Sequence, residues 1–323
     1  MLPESSGSLF ALVLSLAACS RAAVLPRATT PLPDYVLQFA PISHLFSGEA
    51  HFPSDVATHL QHVFPAANFT PVAPSVTFAN ISSPALAGSD IFLTSKDNPL
   101  ANPQASFFNG VEPDSTGFTT APATIIAVEK PGGIVDAFYF YFYSYDHGTF
   151  LGITVGDHVG DWEHSMVRFV NGVPQTLYMS AHSGGTAYEF SVMPKMDGRP
   201  ITFIATGTHA NYATPGDHQH DFPGLFDQTD AGTLWDVTKN FRGFWFDNTT
   251  QTFSLANGVA QGGTEEPGEG VGWLNFKGQW GDKQFPILVD GQLCIDIPDL
   301  VDECTLVDGP TGGILYFCPR MGG

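Results

Sequence analysis

The chain has 323 residues with 32 acidic and 12 basic side chains, a net charge of −20. That balance excludes the basic footprint of a nucleic-acid binder and disfavours simple electrostatic docking on anionic lipid; cations or neutral, sugar-like ligands fit better. Hydrophobic residues make up 43% of the chain, enough for a packed core, while 34 Gly and 25 Pro point to many turns and few long helices.

Residues 9–18 (LFALVLSLAA) form an apolar run of signal-peptide length, too short to cross a bilayer. The expectation is a signal peptide over 1–22 and one β-sandwich-like domain over 23–323, with no membrane-spanning segment. Leu16-Ala17-Ala18-Cys19 also reads as a lipobox. Sequons at Asn68, Asn80 and Asn248 suit a glycoprotein that is secreted or resides in the secretory or vacuolar lumen. Residues 35–46 read as a short extended piece running into a loop. Ser54-Asp55 then caps a helix whose apolar positions Val56, Leu60, Val63 and Phe64 share a stripe, with Pro65 ending it. His59 and His62 read as solvated surface residues beside that stripe. Residues 66–122, rich in Pro, Asn and Ser, read as long loops with isolated short strands.

Residues 136–145 (DAFYFYFYSY) are aromatic at seven of ten positions, which predicts a strand buried on both faces. It ends at Asp146-His147-Gly148, where polar groups emerge. A second strand is expected over 161–170, with Asp161, Glu163 and Ser165 on one face and Trp162, His164 and Met166 on the other. Asn171-Gly172 turns into 175–182, aligning Thr176, Tyr178, Ser180 and His182. Further strands over 187–193 and 200–208 follow, the last delivering His209. Residues 256–272 form a Gly/Glu-rich loop without phosphate-binding spacing. The fold class is therefore mainly β, an antiparallel β-sandwich with long loops and one or two short helices. At the end of the chain, Cys304–Cys318 is the expected disulfide stapling the C-terminal segment, with Cys294 left over.

The chemistry concentrates in residues 156–164 (GDHVGDWEH), which hold three acids and two histidines. Seven of the eleven histidines fall between residues 147 and 220. Any one of them reads most simply as a turn hydrogen-bonder, but grouped titratable residues point to a ligand site. Divalent cations take such mixtures of imidazole and carboxylate; Mg²⁺, Ca²⁺, Mn²⁺ and Zn²⁺ all remain open. The loop Asp217/His218/His220/Asp221 offers a second source of ligands. Metal-free acid–base chemistry by Asp161 and Glu163 with His182 or His209 is the competing reading. No zincin helix motif and no serine elbow is present.

Six blocks in order over about 200 residues resemble the fungal vacuolar protein sorting-associated protein 62 family. They are APISHLFSGEAHFPSDVATHL (40–60), NGVEPDSTG (109–117), VGDHVGDWEH (155–164), YMSAHSGGTAY (178–188), ATGTHANYATPGDH (205–218) and AGTLWDVTKN (231–240). The aromatic strand ending in Asp146, followed by Asp161-Trp162-Glu163 and Ser180-Ala181-His182, is more distantly similar to the necrosis- and ethylene-inducing-like proteins. That resemblance implies a secreted β-sandwich with a divalent cation beside a Gly-His-Arg-His-Asp-Trp-Glu motif that recognises sphingolipid sugar headgroups. Asp146, His158, Asp161 and Glu163 match that family's functional positions, whereas Val159 and Gly160 replace the motif's arginine and second histidine, so the resemblance implies the cation site and not cytolytic activity.

The expected metal ligands are Asp146, His158, Asp161, Glu163 and His218, with His182 and His209 as acid–base candidates. Tyr143, Tyr145, Trp162 and Tyr212 are expected to face the ligand. Three functions fit: a cation-dependent binder of a glycan or lipid headgroup, a metal-dependent hydrolase of a glycan or phosphoester, and a sorting or interaction factor with no small-molecule chemistry. The sequence does not set the oligomeric state.

Overall fold

The computed structural model describes residues 30–150, 152–220, 225–256, 270–296 and 302–311. The expected signal peptide lies outside them. The protein is mainly β, with two short α-helices, Asp34–Gln38 and Val56–His62, among the described residues. No helix among them is long and apolar enough to cross a membrane.

The frame is a seven-stranded sheet in the order Gly184–Glu189, Val173–Ala181, His158–Val170, Ile134–Asp146, Ala123–Lys130, Phe241–Asp247, Thr252–Leu255. Its central strand is the aromatic segment, and the alternation of Phe and Tyr along it has a structural meaning. Successive side chains point to opposite faces. Phe138, Phe140 and Phe142 enter one core with Trp162, Trp273 and Trp280. Tyr139, Tyr141 and Tyr143 enter the other with Leu45, Ile204 and Trp235. Those last three belong to a second sheet, in which Ile42–Leu45 lies between Arg199–Ile204 and Leu234–Asp236. Two sheets therefore face each other across the tyrosine layer, as a sandwich requires. The tyrosine face also accommodates polar ends: Tyr139 Oη donates to the Val36 carbonyl at 2.6 Å.

Most pairings are antiparallel, as expected, but Ala123–Lys130 with Phe241–Asp247 and Ile42–Leu45 with Arg199–Ile204 are parallel. Partners so distant in sequence are joined by long crossovers, which no local pattern marks. Residues 35–46 are not one extended piece: the helix Asp34–Gln38 precedes the strand Ile42–Leu45. Asp55 caps Val56–His62 by accepting from Ala57 N, but Val63 and Phe64 leave the helix for the strand Val63–Ala67. His59 is buried rather than solvated. It is held between Ser144 Oγ and the Trp280 carbonyl, both at 3.1 Å, and burial lowers its pKa to about 4. The strand expected over 187–193 instead ends at Glu189, and Phe190–Val192 forms a 3-10 turn. The last strand stops at Ile204, before the turn that carries His209.

The disulfide joins Cys294 to Cys304, in place of the expected Cys304–Cys318 pair. The two cysteines face each other across a short antiparallel ribbon, Cys294–Asp296 with Asp302–Cys304, a register that spacing alone does not reveal. Cys318 lies outside the described residues.

Candidate metal centre

Strand register assembles the site. Asp146 pairs with His158, Tyr143 with Asp161 and Tyr141 with Glu163 across the two longest strands. Asp161 and Glu163 share the tyrosine face, while Trp162 and His164 face the phenylalanine core, as period-two alternation predicts. Gly160 stands at the irregular point of this pairing with φ +70°, and a Cβ there would lie 2.4 Å from the Trp280 carbonyl. Steric fit thus accounts for glycine where the resembled motif has its second histidine.

His209 arrives from the opposite sheet. Its left-handed backbone (φ +55°) sits in a turn closed by Ala205 N donating to the Ala210 carbonyl. Glu49 fixes this turn against residues 49–51: Oε1 accepts from Ala50 N and His51 N, and Oε2 from Gly207 N. The His209 ring lies flat on Tyr143, with centroids 3.6 Å apart. One ligand atom each from Asp146, Asp161 and His209 lie within 4.8 Å of one another, and all three residues are buried.

His209 is held between two acceptors. His209 Nε2 is 3.0 Å from the His51 carbonyl and Nδ1 is 3.0 Å from Asp161 Oδ2. A carbonyl only accepts, so in the neutral ring Nε2 carries the hydrogen and Nδ1 presents a lone pair to a carboxylate oxygen. Two lone pairs at that distance require a proton or a cation between them. His158 has the complementary arrangement: Nδ1 donates to the Gly160 carbonyl at 2.8 Å, leaving the Nε2 lone pair 3.8 Å from Asp146 Oδ2. Burial lowers the His158 pKa. Burial, reinforced by the neighbouring Asp161 charge, pushes Asp146 and Glu163 well above the usual carboxylate range. Glu163 accepts from Ser180 Oγ, which also accepts from His164 N.

Of the residues expected as ligands, Asp146 and Asp161 converge here with His209; His158 Nε2 lies beside Asp146, and Glu163 shares the face of Asp161. His218 does not join them. Its Nε2 contacts the Thr214 carbonyl and Thr229 Oγ1, both at 3.0 Å, and its ring stacks on Tyr212. His182 lines a cleft of ≈ 250 Å³ that Asp146 and His158 also line. Its Nε2 is 2.7 Å from Asp227 Oδ2. The expected aromatic platform is largely absent, because Tyr143, Tyr145 and Trp162 are packed in the cores.

One residue of the cleft, Asp227, escaped the sequence reading, while Asp157, weighed there as a ligand, instead holds His147. Buried Asp157 accepts from Tyr145 Oη (2.6 Å), His147 Nδ1 (3.0 Å) and Gly148 N (3.0 Å), and so sets the orientation of His147. The hydrogen bond to Asp157 also raises the His147 pKa. Asp227 carried no sequence signal beyond the alternation of Phe226–Thr229, which buries it.

Residues 149–287 match the family model of Vacuolar protein sorting-associated protein 62. The Saccharomyces cerevisiae protein of that name is 36% identical over 294 residues, 79% of this chain and 60% of its own length. The S. cerevisiae protein TDA6 is 38% identical over 296 residues, 79% of this chain and 61% of its own. The chain spans about three-fifths of the length of these relatives. Among solved structures, Necrosis and Ethylene inducing Protein 2 from the causal agent of cocoa's Witches Broom disease is similar at a TM-score of 0.31. It is 16% identical, over 62% of this chain and 76% of that one. NLPPya in complex with mannosamine is similar at 0.29, 14% identical, over 71% and 81%. Likeness this slight carries no argument about ligand. By its matched residues and its identity with the two yeast proteins, the chain belongs to the vacuolar protein sorting-associated protein 62 family.

Proposed function

We propose that the chain holds one divalent cation between Asp146, Asp161 and His209, with His158 and Glu163 beside it. The ion and the adjoining cleft then bind the hydroxyl-rich part of a glycan or lipid headgroup. The observation that carries this reading is the 3.0 Å approach of His209 Nδ1 to Asp161 Oδ2. A cation turns that lone-pair conflict into two ligand bonds. It also relieves the repulsion among Asp146, Asp161 and Glu163: the first two face the imidazoles of His158 and His209, and Glu163 accepts from Ser180 Oγ. Two carboxylates with one imidazole suit Mn²⁺, Mg²⁺ or Ca²⁺ better than a thiolate-seeking metal.

Thr206, Thr208 and Gln228 line the cleft with the imidazoles, and Phe150 and Phe226 offer apolar surface. This mixture fits a neutral polyol, and the net charge of −20 argues against a polyanion. The yeast relative's name points to vacuolar sorting, and we place this chain on the same secretory or vacuolar route. An oxidising lumen on that route suits the Cys294–Cys304 disulfide.

The test is calorimetric titration of metal-stripped protein with Mn²⁺, Mg²⁺ and Ca²⁺, then binding to a glycan and headgroup array with and without chelator. One equivalent of ion, lost in Asp161→Asn, together with chelator-sensitive array binding, is the expected result. No ion binding in the wild type would sink the proposal. A second reading, metal-dependent hydrolysis, is favoured by His147, which buried Asp157 orients at the same cleft. Turnover of a glycan or phosphoester that disappears in His147→Gln, with ion binding intact, selects it over the binding module.

A further inference from the structure

The same cleft carries a second convergence, built from residues the first site does not use. His182 and His220 stack with ring centroids 3.8 Å apart. Both direct Nε2 at one carboxylate: His182 lies 2.7 Å from Asp227 Oδ2 and His220 lies 3.5 Å from Asp227 Oδ1. One ligand atom each from the three residues lie within 4.8 Å of one another. Ligand atoms on one tetrahedral Zn²⁺ lie about 3.3–3.4 Å apart, so side-chain rotations that move the ligand atoms by up to about 1.5 Å close the set.

The carboxylate itself is held in place. Tyr212 Oη donates to Oδ2 at 2.6 Å and Thr208 Oγ1 donates to Oδ1 at 2.7 Å. These bonds fix the carboxylate plane, as the outer partners of metal ligands do. His182 has a left-handed backbone (φ +52°), a conformation costly for a non-glycine residue, which turns its ring toward Asp227 at the end of Val173–Ala181. Asp227 is buried, whereas both imidazoles border the cleft.

We propose that His182, His220 and Asp227 form a second cation site, chemically distinct from the first. Two imidazoles and one carboxylate make a donor set for Zn²⁺ or a similar transition metal, whereas the carboxylate-rich first site favours harder ions. Three protein ligands leave a fourth position, and the cleft side is where solvent or a ligand oxygen reaches it. The site is independent of the proposed function and stands if that reading fails.

The test uses the metal-stripped full chain titrated with Co²⁺ as a coloured substitute for Zn²⁺, in excess Mg²⁺, with displacement by Zn²⁺ at the end. The expected result is one equivalent of Co²⁺ with the intense visible bands of a four-coordinate site. These bands are lost in His220→Ala and retained in Asp146→Asn. Thr208→Val keeps the bands and weakens binding by roughly tenfold or more, through loss of an outer hydrogen bond. Because His220→Ala could perturb the loop, His220→Gln and a thermal melt of each variant accompany it. Bands that persist in folded His220→Ala and His220→Gln overturn the proposal. A wild type that takes up no Co²⁺ with these bands also overturns it.

Discussion

Asp146, Glu163 and Asp282 are carboxyl groups whose burial favours the protonated form. Asp282 is the simplest of them. Its Oδ2 accepts from Ser95 N at 3.0 Å, Oδ1 has no hydrogen-bond partner among the described residues, and burial raises its pKa to about 7. A folded-state value above the unfolded one means stability is complete below about pH 4 and is lost as pH rises toward 7. Three units correspond to roughly 4 kcal/mol as an order of magnitude. Asp282→Asn keeps the acceptor for Ser95 and removes the charge. Its urea midpoint should therefore fall less than that of the wild type between pH 5 and pH 8. Equal losses would show that Asp282 is not the titrating group. Asp146 has the same sign in metal-free protein but a different response to ions. Asp146→Asn should be as stable as the wild type, or more so, in chelator, yet gain nothing from Mn²⁺. The wild type should gain about 2.7 kcal/mol at one hundred times its dissociation constant. Melting curves with and without Mn²⁺ decide this.

At the scale of elements, the pairing of Ile134–Asp146 with His158–Val170 does most to place the site, and Gly160 is its most constrained position. Gly160→Ala must accept a left-handed conformation and displace the Trp280 carbonyl that His59 also holds. A loss of about 2 kcal/mol or more in chemical unfolding is expected. A change within about 0.5 kcal/mol would mean that the backbone there moves freely. These two strands were also the most legible part of the sequence. Aromatic residues alternating with no polar face can only be buried on both sides, and period two then assigns Asp161 and Glu163 to one face. The partners from the other sheet were not legible in the same way. His209 reaches Asp161 through a left-handed turn anchored by Glu49, more than 150 residues away in sequence. Asp227 lies in an ordinary-looking Phe-Asp-Gln-Thr, and its value as a ligand depends on a hairpin, Gly216–Gln219 with Phe226–Thr229, folding toward His182. His59 reads as surface because its burial comes from residue 280, not from its own helix. Spacing exposes what one strand offers; convergence of distant loops depends on tertiary packing.

For the whole molecule, the C-terminal part closes the structure. Trp273 and Trp280 fill the phenylalanine core, and Gly281 packs so closely on Val159 that a Cβ would lie 1.7 Å from its carbonyl oxygen. Beyond the disulfide, Asp157 N donates to the Thr305 carbonyl and Val307 N to the Asp157 carbonyl, which straps this segment to the start of the site strand. The disulfide closes a short loop, cysteines ten apart in sequence. Replacing both cysteines by serine should cost roughly 2–3 kcal/mol. Because Asp157 N is tied to the same segment, ion affinity should fall as well. Urea unfolding and Mn²⁺ titration of the double variant measure the two effects. Unchanged affinity would show that the strap and the site are independent.

That strap imposes an order on biosynthesis. Asp146, Asp161 and His209 all leave the ribosome well before Trp280 and Thr305, so the nascent chain carries its acidic ligands without the segment that encloses them. On the proposed reading, a site braced through Asp157 by the Thr305 segment reaches its full affinity only once that segment and the Cys294–Cys304 disulfide are in place. Tight binding of the proposed ion would then follow oxidation of the two thiols, and the metal would be drawn from the compartment where that oxidation takes place.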